Sequence, residues 1–194
     1  MTIYIWGWNE LAVRIRTGDV VTDLQRPVDF QGNWLSQDLG RALYHALFRG
    51  LPPFVVGALV FRLHLPSHPW TVAAFMLSLL LAVCISFAIR FLVNVLAFWI
   101  LDYRGVIGLA TVFWTFFSGS VVPLAILPGG LRTLAELSPF AGMLQVPIDV
   151  FLEQQRGLAL AGALALQAAW AVLLLAAGRA LLGAATRRFV AQGG

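Results

Sequence analysis

TVAAFMLSLLLAVCISFAI, residues 71–89, carries no charged side chain. A helix needs about 20 apolar residues to cross a hydrocarbon core of about 30 Å, so this stretch reads as a membrane span and decides the fold. Three further apolar segments surround it, at 51–61, 105–127 and 157–178. Over 194 residues the chain is 60% hydrophobic and 11% charged, with a mean hydropathy of +0.84. A water-soluble domain of this size could not bury so much apolar surface. The fold class is therefore all-α: a polytopic membrane protein of about four transmembrane helices, with the lipid bilayer as its solvent.

The polar minority excludes several functions. All 13 basic residues are arginine, and the chain has no lysine. A Walker A loop needs its lysine, and no GxxxxGK run occurs, so nucleotide is not hydrolysed here by that route; Schiff-base chemistry is excluded as well. The arginines sit at the ends of apolar segments and form no patch interleaved with aromatics, so nucleic acid is not an expected partner. Cys84 has no second cysteine to pair with. His64 and His68 have a metal-like spacing, but Pro66 between them breaks the helix that would align them. Ser118 and Ser120 have no histidine in their own span to serve as base. No catalytic residue, metal ligand or cofactor is expected in this chain.

Residues 9–40 form the sizeable water-facing block. Leu11 and Ile15 share a helical face, and Gly18 then breaks the run. Asp19 offers an N-cap to a short turn carrying Val20, Val21 and Leu24, which Pro27 ends. Asp29 is placed to cap a second helix that runs through Trp34 and Leu39 into the membrane. Spans are expected at 41–63, 71–101, 106–127 and 158–182, with a kink at Pro52 and Pro53. The second span is about 46 Å long at ~1.5 Å per residue, so it must tilt, project or break. Residues 128–156 alternate apolar runs with prolines and acids, as re-entrant or interfacial helices do. Thr2–Trp8 reads as the tail of an earlier span at an aromatic belt.

Four spans place both termini on one side, with Arg14, Arg16, Arg26, Arg41, Arg104, Arg187 and Arg188. The other side has Arg62, Arg132 and Arg156. The positive-inside rule then puts both termini in the cytoplasm.

Four stretches in this order resemble the type-2 ABC exporter permeases, and among them daunorubicin-type and viologen exporter permeases. They are IRTGDVVTDLQRPVD (15–29), RFLVNVLAFWILDYRG (90–105), SGSVVPLAILP with PFAGMLQVPIDVF (118–128 and 139–151), and RRFVAQGG (187–194). The resemblance covers nearly the whole chain. It implies a single permease domain, residues 1–194, in the plasma or inner membrane. Its partners would be a separate ABC ATPase, which holds ATP and magnesium, and a second permease copy or sister permease. It also implies that residues 9–40 are a coupling region contacting the ATPase through Arg16, Gly18, Asp19, Val20, Val21, Asp23, Leu24, Arg26 and Pro27, with Val20, Val21 and Leu24 as apolar anchors and Asp23 and Arg26 at the rim. Such permeases carry two more membrane helices upstream, so the expectation is a fragment, a late assigned start or a degenerate copy.

Each of these residues has a plainer reading. The charges at 14–26 could solvate a cytoplasmic loop. Arg90 and Asn94 share a helical face and could line a translocation path, or Arg90 could snorkel to the interface. Gln167 could meet substrate or hydrogen-bond between helices. The rival function is a non-transporting membrane scaffold, accessory subunit or permease remnant. A secondary transporter would require inverted repeats and paired intramembrane acids, which are not evident.

Overall fold

The computed structural model describes residues 9–61, 66, 68–100 and 102–192. Thr2–Trp8 and His64 lie outside them. Among the described residues the regular structure is entirely helical, as an all-α polytopic membrane protein requires. Three helical stretches are long and apolar enough to cross a membrane: Phe30–Phe61, Pro69–Phe98 and Leu158–Arg187.

Helix α1 (Glu10–Thr17) ends where Gly18 adopts a left-handed φ of 85°, a conformation that costs glycine nothing. The chain turns there into α2 (Val20–Leu24). Asp19 does not cap this helix with its side chain; its Oδ2 accepts from the Thr17 hydroxyl at 2.7 Å instead. Asp29 does cap α3 (Phe30–His45), accepting from the Gly32 amide at 2.7 Å. A Cβ at Gly32 would lie 2.8 Å from that carboxylate oxygen, so the cap and the glycine go together.

The α3 helix continues through a π turn (Ala46–Gly50) into α4 (Leu51–Phe61). The turn sits immediately before Pro52 and Pro53, whose missing amide hydrogens disturb the regular ladder. The membrane portion of this helix is exposed along its length, touching the rest of the fold where Phe54 meets the Phe151 ring edge-on at 5.9 Å.

Helix α5 (Pro69–Val95) is the central element, and its second half is nearly all buried. It tightens into a 3-10 turn (Leu96–Phe98) and stops at Trp99; its 27 residues still reach about 40 Å at ~1.5 Å per residue, longer than the hydrocarbon core. Helix α9 (Leu158–Gln192) packs along it. Ser78 meets Gln167 and Phe91 meets Gly178, so α5 and α9 run in the same direction. Parallel neighbours need the chain to return between them. Helix α6 (Tyr103–Phe117), capped by the Asp102 carboxylate, makes that return.

The span expected at 106–127 is corrected here: α6 stops at Phe117. Ser118 is buried, Gly119 takes a φ of 81°, and Pro123 precedes a 3-10 turn at Leu124–Ile126, so the helical ladder cannot continue. With 15 residues, α6 reaches about 22 Å at ~1.5 Å per residue. Beyond it, α7 (Gly129–Leu137), a 3-10 turn (Ala141–Met143) and α8 (Gln145–Phe151) form the interrupted segment.

Apolar packing divides into two ends. At the near end Leu11, Ile15, Val20, Phe30 and Trp34 pack on Phe87, Phe91 and Val95 of α5 and on Ala185 of α9. Toward the far end Ile85, Ile89, Met143 and Ala171 form a second cluster, and Leu124, Ala135 and Ala141 a third.

Candidate functional site: the near-end hairpin and its seam

The α1–α2 hairpin presents a selective surface. Gly18, Asp19, Thr22, Arg26, Pro27 and Val28 are exposed, as is Arg16, whereas Val21 and Leu24 are half-buried. Val20 is fully buried in the protein's own core, and Leu24 packs against the same cluster. The expectation that Val20 anchors a partner is thereby corrected: its face of the short helix is already occupied. Asp23 turns inward rather than standing at a rim. Its carboxylate, only 10% exposed, pairs with Arg14 at 2.9 Å and lies 4.0 Å from Arg26. The Arg14 guanidinium in turn stands 5.6 Å over the Trp34 ring, a favourable cation–π distance. The hairpin is thus folded onto α3 by charge as well as by apolar contact.

A polar seam fixes the hairpin to the membrane helices. Arg90 on α5 donates from Nη1 and Nη2 to the two oxygens of Asp38 on α3, at 3.1 and 2.5 Å, and from Nε to the Ser86 carbonyl at 3.2 Å. Both side chains are largely shielded. Two-point pairing of this kind is the strong form of an ion pair. Arg41 extends the chain of charges, lying 3.9 Å from Asp38 and 2.7 Å from Glu10 on α1. One turn beyond Arg90, the Asn94 amide donates to the Arg90 carbonyl at 2.6 Å and accepts from the Ala12 amide at 2.9 Å. Arg90 and Asn94 do share a face, and that face is turned to α1 and α3.

A second set of contacts reaches α9. Arg179 pairs with the cap residue Asp29, and Gln31 donates to the Leu175 carbonyl at 3.0 Å. A Cβ at Gly178 would meet Phe91 at 3.0 Å and Gln31 at 3.2 Å, so the three helices meet closely there and a larger residue would press on both side chains.

Gln167 lies deeper, 1% exposed. Its amide donates to the Ser78 and Gly142 carbonyls at 2.9 and 2.7 Å and accepts from the Ser78 hydroxyl at 3.0 Å. It fastens α5, α9 and the interrupted segment together. The pairing of Asp38, Glu10, Arg41 and Arg179 escaped the sequence reading, although a buried arginine demands an acid and the water-facing block supplies few.

The sequence matches the family described as ABC-2 family transporter protein over residues 1–193. The chain belongs to the ABC-2 transporter family. No curated protein and no solved structure matches it. As an ABC-2 permease component it is an integral membrane subunit of an ABC transporter, whose partners are the bilayer and an ABC ATPase. That division of labour agrees with the missing lysine, which leaves ABC-2 permease chemistry without a Walker A loop of its own.

Proposed function

We propose that this ABC-2 permease exports an amphipathic small molecule, driven by ATP and magnesium on a separate ATPase that docks on the α1–α2 hairpin. The subunit works beside a second copy or a sister permease in the plasma or inner membrane, with both termini in the cytoplasm. α6 supplies the remaining crossing between α5 and α9.

The observation that carries this reading is the double attachment of the near end. A short hairpin with an exposed turn is joined to α5 directly through Ala12–Asn94 and to α3 through Glu10–Arg41, and α3 in turn holds α5 through Asp38–Arg90 and α9 through its cap residue Asp29 and Arg179. A push on the hairpin therefore moves two membrane helices at once, as ATP-driven alternating access requires. Few fixed charges line the spans, which favours an amphipathic cargo over a highly polar one. Arg90, Asn94 and Gln167 serve in this scheme as positioning residues.

Thr22→Arg and Val28→Asp alter exposed positions and spare the buried Val20. Each should lower ATPase co-purification and substrate-stimulated hydrolysis by about tenfold or more, the scale of a lost interface contact, at normal abundance of the permease. Wild-type values for both variants together would leave the hairpin a mere linker and favour a non-transporting scaffold.

A further inference from the structure

The permease reading leaves a cavity at the far end without a task. It has a volume of about 370 Å³, inside the range of roughly 300–1,000 Å³ for small-molecule sites. It lies between the first half of α9 and the α7–α8 segment. One wall is apolar, with Val146, Leu166 and Trp170. The Trp170 ring is held in place because its Nε1–H donates to the Leu137 carbonyl at 2.9 Å.

The rest of the lining is acceptor-rich. Glu136 and Arg132 also line the cavity but satisfy one another at 2.7 Å. Asp149 lacks such a cation. Its Oδ1 accepts from Gln145 Nε2 at 2.7 Å, and its ion-pair capacity is unused among the described residues. Gln155, also in the lining, has its Oε1 buried without a donor. Surplus negative charge and an unsatisfied acceptor beside an aromatic wall ask for a ligand with a cationic donor at one end and an apolar body. Burial holds the Asp149 carboxyl above the usual carboxylate range, the condition in which a bound cation adds most.

We propose that this cavity binds an amphipathic amine, its ammonium paired with Asp149 and its apolar body laid against Trp170 and Leu166. The site deepens the export reading and rests on it for its purpose, since a far-end site on the permease is where cargo would pause before release.

The test uses the full chain in nanodiscs, without ATPase. The probes are dansylcadaverine, which carries a primary amine, and its N-acetyl derivative, which is neutral. Saturable fluorescence enhancement above that of empty nanodiscs should show the amine binding about tenfold or more tightly than the acetylated probe, a gap set by one charge contact. Asp149→Asn, which keeps the hydrogen bond to Gln145, should remove that preference and leave the neutral probe unchanged. Equal affinities on the wild-type protein overturn the proposal regardless of how any variant folds, and so does a preference that survives Asp149→Asn. Absent amine binding alongside intact ATPase coupling sinks this site alone. Intact binding with no ATP-driven export sinks the export reading and spares the site.

Discussion

Arg90 and Asp38, 52 positions apart, meet through two parallel hydrogen bonds at the boundary between the near-end hairpin and the membrane helices. Neither charge has a second full partner of equal quality: Arg41 stands 3.9 Å from Asp38. Removing one side of such a shielded pair costs about 3–5 kcal/mol, because the remaining charge is left uncompensated. Arg90→Met and Asp38→Leu should each destabilise the protein by that order, and the double variant by clearly less than their sum. Thermal unfolding of the four proteins in detergent measures the coupling; strict additivity would show that the pair contributes none.

Two glycines of α9 should respond oppositely to alanine. At Gly178 the added methyl meets Phe91 at 3.0 Å and Gln31 at 3.2 Å, whereas at Gly162 it meets open space. Overpacking costs about 1–3 kcal/mol, and relieving a helical glycine gains up to about 1 kcal/mol. Gly178→Ala should lower the unfolding temperature and Gly162→Ala should hold or raise it. The same melting series checks both.

Gln167→Leu removes three hydrogen bonds at one buried point. Interhelical hydrogen bonds within membranes are worth about 0.6 kcal/mol on average and at most about 1.7, so a loss of roughly 2 kcal/mol is expected. Proteolysis between residues 118 and 157 should accelerate in the same variant, since Gly142 loses its tie to α9. Unchanged proteolysis would mean that the apolar clusters alone hold the interrupted segment.

Asp149 should give stability a pH dependence. Burial raises its pKa first, the hydrogen bond from Gln145 opposes that, and the Glu136 charge adds to it. A carboxyl whose folded pKa is raised favours its protonated form in the fold. Its contribution is fully present below the ordinary aspartate value of about 3.9, and is lost as pH rises through the higher folded value. Melting temperatures compared across that window should fall with rising pH for wild type and less steeply for Asp149→Asn. Parallel curves would refute the assignment.

Much of the fold was legible because local chemistry decides it. The apolar run around Ser78 specifies a span, Gly18 breaks α1 by its left-handed turn, Asp29 caps α3, and Leu11 and Ile15 are buried on one face. Errors arose where another partner outbid the expected one. Asp19 satisfies its close neighbour Thr17 rather than a helix start, and Val20 faces inward because the distant Phe87 and Phe91 offer it a core. Periodicity put Arg90 and Asn94 on a common face, but only the packing of α1 and α3 on α5 reveals that this face meets Asp38 and the Ala12 amide. The end of α6 was missed because 106–127 carries no charge and reads as one span; the break comes earlier, at the buried Ser118 and the left-handed Gly119, a short Ser-Gly-Ser signal that the apolar run on either side outweighed.

The shortness of α6 bears on the membrane around it. On the four-crossing topology proposed above, a helix of 15 residues must connect two faces that its neighbour α5, at 27 residues, spans with length to spare. Its outward side carries Leu109, Val112, Phe113 and Phe116, which need acyl chains beside them. Hydrophobic mismatch of this kind is relieved by local thinning of the lipid. On that topology the bilayer thins where α6 gives way to the turn at Ser118, bringing the water boundary toward the segment that follows. Membrane thickness thus becomes a variable of this protein's mechanics, and reconstitution in lipids of increasing chain length should strain α6 before it affects α5 or α9.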